Sequence, residues 1–214
     1  MIVSFVNLKG GCGKSTSSVH LSRWLLNYHG SVALVDTDYL AASSMWVEHL
    51  EQQIAQPTVF QMHDPSALVS ELPKISQGFT TIVVDGASQS GEIQAAILQI
   101  SDLVLIPLQP SILDISTTHQ TINAVRLAQN NREQPLRAFT FLMRVTSKSV
   151  LVEEAREFLR SYEDVPLLET ELPQRQVVAD AMAQNKTLFD YQGDRNAKTV
   201  SRCYEKLFQE VNLR

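Results

Sequence analysis

The segment Lys9-Gly10-Gly11-Cys12-Gly13-Lys14-Ser15-Thr16 constrains this chain more than any other part of it. It follows Ile2-Val3-Ser4-Phe5-Val6, a β-branched and aromatic run that predicts a strand. It leads into a helix-period stretch over residues 14–28. Strand, glycine loop and helix in that order build a nest of inward-turned N–H groups at a helix N-terminus, which binds anions. Gly10, Gly11 and Gly13 are expected to supply positive φ there. In such a loop Lys14 reaches the β- and γ-phosphates of a nucleotide, Ser15 places its hydroxyl on Mg²⁺, and Thr16 stands within reach of the α-phosphate. The general pattern GxxxxGK[ST] asks for a glycine where Leu8 stands, so the match is to the variant KGGxGK[ST], which carries an added lysine, Lys9. Cys12 occupies the variable position, where a small apolar side chain suffices.

A chain that begins this way is expected to be α/β. Short Val- and Ile-rich runs alternate with helix-period segments, the pattern of βαβ units and a parallel sheet. Strands are predicted over residues 2–7, 31–36, 58–61, 80–85, 103–108 and 137–143, with a weaker candidate over 164–168. Helices are predicted over 14–28, 41–53, 65–75, 94–100, 115–130, 150–162, 174–183 and 195–211. Runs such as Val32-Ala33-Leu34-Val35 and Ile82-Val83-Val84 lack polar alternation, as strands buried on both faces do. The expected fold is therefore a doubly wound, mostly parallel sheet with helices on both faces, opening on a P-loop-type phosphate loop.

Composition fits one such domain over residues 1–214, given roughly 150 residues per domain. Hydrophobic residues make up 44% and charged residues 19%, which excludes a disordered or fibrous chain. The net charge of −5 argues against a wholly basic nucleic-acid coat and leaves room for a local basic patch. Cys12 and Cys203 fall in no metal or disulfide spacing, which fits a reducing cytoplasm. No apolar run approaches a membrane span, and no export signal precedes the first strand.

Two further strands end in carboxylates. Val35-Asp36-Thr37-Asp38 places Asp36 and Asp38 at the C-terminal end of a strand, where ligands bind in open α/β sheets. Thr81-Ile82-Val83-Val84-Asp85 has the form of a strand whose final Asp holds Mg²⁺, often through water. The run from Leu103 to Pro110-Ser111, followed by Asp114, is read as architecture.

These motifs together resemble the ParA/MinD family of deviant Walker A ATPases, most closely the short ParA-type partition proteins that lack an N-terminal DNA-binding extension. The resemblance implies ATP and Mg²⁺ as ligands and an ATP-sandwich homodimer in which Lys9 reaches the partner's phosphates, a lysine in the role of an arginine finger. It implies that Asp38 orients the attacking water and that Asp36 lies near the metal. Leu172-Pro173-Gln174-Arg175 resembles the family segment that borders the adenine, which brings in Pro173. The chain departs from the family pattern at Tyr39-Leu40, where Pro-Gln is usual, and at Gly86-Ala87-Ser88, where x-Pro-Pro is usual. The second departure is expected to make that loop more flexible.

The family acts on a surface, DNA in one branch and membrane in the other. Arg195, Lys198, Arg202 and Lys206 recur at spacings of three and four and so form one cationic helical stripe, suited to sequence-independent phosphate contacts or to a solvated helix face. Residues Cys203, Tyr204, Leu207, Phe208 and Val211 form the opposing apolar face, and no surplus amphipathic tail for a membrane follows. The resemblance thus implies nonspecific DNA binding on the nucleoid in the cytoplasm, without membrane. It also implies a ParB-like adaptor protein that connects the dimer to a plasmid, a chromosome or a protein body such as a carboxysome. A MinD-like membrane ATPase and a small-molecule kinase or ligase on the same scaffold are the alternatives.

Overall fold

The computed structural model describes residues 1–28, 30–88, 90–146 and 149–213. Its strands are β1 (Ile2–Phe5), β2 (Val32–Asp36), β3 (Thr58–Gln61), β4 (Thr81–Asp85), β5 (Leu103–Leu108) and β6 (Arg137–Leu142). They form one sheet in the order β3-β2-β4-β1-β5-β6, and every strand pair is parallel. The helices are α1 (Lys14–Leu25), α2 (Ala42–Glu48), α3 (Pro65–Ile75), α4 (Gly91–Ile100), α5 (Ile112–Asn130), α6 (Val150–Arg160), α7 (Val177–Ala183) and α8 (Arg195–Glu210).

Alternation along the inner strands explains the two-sided burial read from their apolar runs. Val3 and Phe5 of β1, Leu34 of β2 and Val83 of β4 face one core, which α1, α2, α7 and α8 cover. Ile2, Ala33, Val35, Ile82 and Val84 face the other, beneath α3, α4, α5 and α6. Successive strand side chains point to opposite faces, so a strand with helices on both sides must be apolar throughout. This is the doubly wound fold expected from the sequence.

Helix starts follow local chemistry. Asp64 accepts the Ala67 N–H at 2.7 Å ahead of Pro65, and Asp194 accepts the Ala197 N–H at 2.8 Å. Ser111 accepts the Asp114 N–H at 3.1 Å while Asp114 accepts the Gln109 N–H at 3.2 Å, which confirms the Pro-Ser segment as architecture. The candidate strand over 164–168 does not form: Thr140 pairs with Leu167 as an isolated bridge, and Pro166, with no N–H to give, interrupts a ladder there. The predicted helix over 174–183 begins only at Val177, because residues 172–174 run extended beside residues 142–145, with the Leu172 N–H on the Leu142 carbonyl at 2.9 Å and the Gln174 N–H on the Val145 carbonyl at 3.0 Å.

A parallel sheet carries all its strand C-termini on one edge. The chain leaves β1 for β2 on one side, and after β4 it crosses to β5 on the other. Ligands bind in the crevice where winding reverses, and the glycine loop after β1 stands there.

Candidate nucleotide site

The glycine loop runs straight into α1. Gly11 (φ 76°) and Gly13 (φ 98°) occupy the left-handed region, so side chains there would be strained. A Cβ on Gly13 would also collide with the Met143 sulfur. Gly10 does not adopt positive φ, which corrects the expectation for that glycine; a Cβ there would make ordinary contact with Ser88.

Lys14 is buried, 5% exposed. Its Nζ donates to the Lys9 carbonyl at 2.9 Å and to Ser88 Oγ at 3.0 Å, with Cys12 Sγ at 3.9 Å. Burial pushes the Cys12 thiol up, against the pull of nearby Lys14, so Cys12 is a packed thiol whose Sγ donates to the Lys9 carbonyl. The Lys9 N–H is fixed by Asn7 Oδ1 at 3.0 Å. Asn7 in turn donates to the Pro107 carbonyl and to Thr118 of α5. Gln109 Nε2 reaches the Gly11 carbonyl at 2.7 Å. Neither Asn7 nor Gln109 was singled out by the motifs, although both stand at strand ends on the same sheet edge.

The carboxylates sit beside this loop because the register puts them there: Asp36 and Asp85 are Cα partners across β2 and β4, and Phe5 pairs with Asp85 across β1. The Asp85 carboxyl is 1% exposed and its Oδ2 has no hydrogen-bond partner. Burial, together with the neighbouring Asp36 charge, raises it to about 7, while the Ser15 and Ser43 hydroxyls and Lys14 pull the other way. A buried carboxylate oxygen without a partner, close to the Ser15 hydroxyl and a phosphate loop, fits a divalent cation reached directly or through water. No group of three or more His, Cys, Asp or Glu side chains among the described residues could cage a metal, so the cation's other ligands would be phosphate and water oxygens.

Asp36 is differently engaged. Its Oδ2 accepts from Ser43 Oγ at 2.8 Å, Ser44 N at 2.9 Å and Ser44 Oγ at 3.0 Å, and its Oδ1 accepts the Asp38 N–H at 3.1 Å. It thus anchors the start of α2. Asp38 is half-buried; its Oδ1 accepts the Leu40 N–H and its Oδ2 the Ser88 N–H at 3.2 Å.

The loop after β4 is tied at Gly86 and Ala87 as well as at Ser88. Gly86 donates to the Phe5 carbonyl at 3.0 Å, Ala87 to Thr37 Oγ1 at 2.7 Å, and Thr37 Oγ1 to the Asp85 carbonyl at 2.8 Å. A Cβ on Gly86 would fall 2.6 Å from the Phe5 carbonyl oxygen. The sequence expectation of a looser loop is corrected: the glycine is required for close approach, and Thr37 staples Ala87 beside it.

Beside Gly13 and Thr16 opens a cavity of about 240 Å³, walled by Met143, Arg144, Pro173 and Gln174. Pro173, bridged to Val145, lines this cavity beside Gly13 and Thr16. Arg144, in the left-handed region at φ 53°, was missed; its position just past β6 was the available signal.

Arg195, Lys198, Arg202 and Lys206 are all exposed on α8, and none forms an ion pair among the described residues. The opposite face is packed into the core through Val200, Tyr204, Leu207 and Phe208. Among the described residues no helix is long and apolar enough to cross a membrane.

Comparison with known proteins settles the family, since the CobQ/CobB/MinD/ParA nucleotide binding domain matches residues 3–188. The chain belongs to this family. It is 30% identical over 191 residues to the maintenance of carboxysome distribution protein A of Halothiobacillus neapolitanus, covering 87% of this chain and 86% of that protein. The protein of the same name from Gloeobacter kilaueensis is 28% identical over 99% of this chain and 94% of its own length. Among solved structures, an ATP complex of a Cyanothece McdA variant superposes with a TM-score of 0.79 at 14% identity, over 100% of this chain and 96% of that one. The Mg-ADP complex of MinD from Pyrococcus horikoshii superposes at 0.70 with 17% identity, over 99% and 97%. These structural likenesses support the family's fold, and those neighbours hold ATP, or ADP with magnesium.

Proposed function

We propose that this chain is a ParA-type ATPase that binds Mg²⁺ and ATP, dimerises on ATP, binds DNA without sequence preference as the dimer, and positions a cargo through a ParB-like adaptor. The observation that carries the reading is the meeting of Lys14, Asp38 and the partnerless Asp85 oxygen at one edge of the sheet. Lys14 binds phosphate, Gly10, Gly11, Cys12 and Gly13 supply the surrounding N–H groups, and Thr16 and Pro173 flank the nucleotide. Ser15 and Asp85 hold the cation, which neutralises phosphate charge when bound, and Asp36 keeps its neighbour Asp38 in place. Asp38 orients water for attack. The names of the two relatives favour a protein body such as a carboxysome as cargo over a plasmid. An exposed cationic stripe with its apolar face buried in the core favours DNA in the cytoplasm over a lipid surface.

The test compares two variants. Lys14→Ala should lose ATP binding, whereas Asp38→Ala should bind ATP and hydrolyse it at least tenfold more slowly, on the scale of a lost water-positioning group (about 10²-fold or more). Parental ATP affinity in Lys14→Ala would refute the assignment.

A further inference from the structure

The loop after β4 carries Ser88 where the family pattern puts proline. Its two polar groups point to different parts of the site: Ser88 Oγ accepts from Lys14 Nζ at 3.0 Å, and the Ser88 N–H donates to Asp38 Oδ2 at 3.2 Å. Proline offers neither group. The residue is not free to drift, because Gly86 and Ala87 are bonded to Phe5 and Thr37. It stands over the glycine loop, with its Oγ 3.8 Å from where a Gly10 Cβ would lie.

We propose that Ser88 is a positioning residue that joins the phosphate-binding lysine to the water-orienting aspartate, holding Lys14 through its hydroxyl until nucleotide arrives and holding Asp38 through its N–H throughout. The proposal rests on the nucleotide reading above. A buried ammonium needs acceptors, and here it finds the Lys9 carbonyl and the Ser88 hydroxyl. The Lys9 carbonyl belongs to the phosphate loop itself, so the hydroxyl from the loop after β4 is the partner a phosphate oxygen displaces. The exchange swaps a neutral acceptor for an anionic one, which makes the stronger bond. The existing bond nevertheless competes with nucleotide and lowers its affinity. Displacement frees the hydroxyl, while the backbone N–H of the same residue keeps its bond to Asp38.

The two bonds can be separated. Ser88→Ala removes the hydroxyl and keeps the N–H, so ATP and ADP should bind about three- to tenfold more tightly, the factor a net hydrogen bond represents, while kcat stays parental. Ser88→Thr should restore parental affinity. Ser88→Pro removes both groups, so the tighter binding should be joined by a fall in kcat of threefold or more. Affinity is read by titration of a fluorescent ATP analogue and kcat by phosphate release, with circular dichroism to show that each variant is folded. Parental or weakened nucleotide affinity in folded Ser88→Ala would overturn the proposal. Lys14→Ala, run alongside, keeps the two readings apart: its loss of nucleotide binding confirms the phosphate site on which Ser88 is tested, and parental binding would remove that site and the proposal with it.

Discussion

The imidazole of His20 lies flat against the ring of Tyr204, with centroids 4.7 Å apart and planes 5° apart. The stack joins α1, one turn beyond the phosphate loop, to α8, which carries the cationic stripe. His20 Nδ1 lies 2.6 Å from the Thr16 carbonyl and Nε2 accepts the Leu188 N–H at 3.2 Å. Both contacts fit the neutral ring with its proton on Nδ1. Burial holds the ring down at about 4, although the Thr16 carbonyl and Asp190 oppose that.

A histidine lowered from 6.5 to about 4 makes folding acid-sensitive. Below 6.5 the unfolded chain takes up a proton that the folded ring refuses, so stability falls as pH drops from 6.5 towards 4. His20→Phe keeps a ring but leaves the Leu188 N–H and the Thr16 carbonyl without this partner, at a cost of about 1–3 kcal/mol at pH 7.5. Because the parent bears its own penalty in acid, the deficit should narrow at pH 4.5. Urea unfolding at the two pH values measures it, and an equal deficit at both would refute the account.

Asp85 has the opposite sign. The folded carboxyl keeps its proton to about 7, whereas the unfolded one ionises near 3.8, so parental stability declines as pH rises through that window and the full cost is present above it. The shift corresponds to ~4 kcal/mol at ~1.4 kcal/mol per pH unit. Without metal or nucleotide, Asp85→Asn should therefore melt several degrees above the parent at pH 8 and lose that advantage at pH 5.5. It should also lose Mg²⁺-dependent tightening of ATP binding. In the parent that tightening should weaken from pH 8 to pH 6, because the cation must displace a proton. A Mg²⁺ effect independent of pH would contradict this role.

The bounds of β3, β5 and α3 coincide with the sequence reading because local signals agree there: Asp64-Pro65 starts α3, and Leu103–Leu108 is apolar throughout. The phosphate loop and the carboxylates were legible because each follows a strand. Arg144 and Ser88 were not legible as parts of the site, because what brings them to Gly13 and Lys14 is strand order and register. Asp36 shows a different limit. Its motif implies a place near the metal, but the serines that occupy its oxygens, Ser43 and Ser44, follow it in an otherwise unremarkable helix. The strand expected over 164–168 failed at a residue that sequence does show, Pro166, where apolar character outweighed the missing N–H.

Lys9 is held by its backbone alone. Its N–H is bonded to Asn7 and its carbonyl accepts from Lys14 and Cys12, while its Nζ has no partner among the described residues. Lys9→Ala should therefore leave monomer stability within about 0.5 kcal/mol of the parent, as for a surface change. If the side chain serves the partner subunit's phosphates, ATP-induced dimerisation and turnover should both fall about tenfold or more. Light scattering that shows a parental dimer together with full turnover would exclude the trans role.

The cationic stripe is tested through salt. Arg195, Lys198, Arg202 and Lys206 are exposed on α8 of a chain whose net charge is −5. The acidic body repels DNA at long range, and one short stripe offers few phosphate contacts, so the monomer should bind poorly. A dimer presents the stripe twice. Each contact releases counterions, so log affinity of the ATP-bound protein should fall against log salt with a slope near −0.9 per contact, whatever the DNA sequence. Arg195→Ala combined with Arg202→Ala should flatten that slope by about 0.9 for each phosphate no longer neutralised, while ATP-induced dimerisation persists. Fluorescence anisotropy with random duplexes over a salt series reads the slope. Should the ATP-bound dimer ignore DNA at low salt and sediment with anionic vesicles, α8 would serve a lipid surface and the DNA assignment would fall.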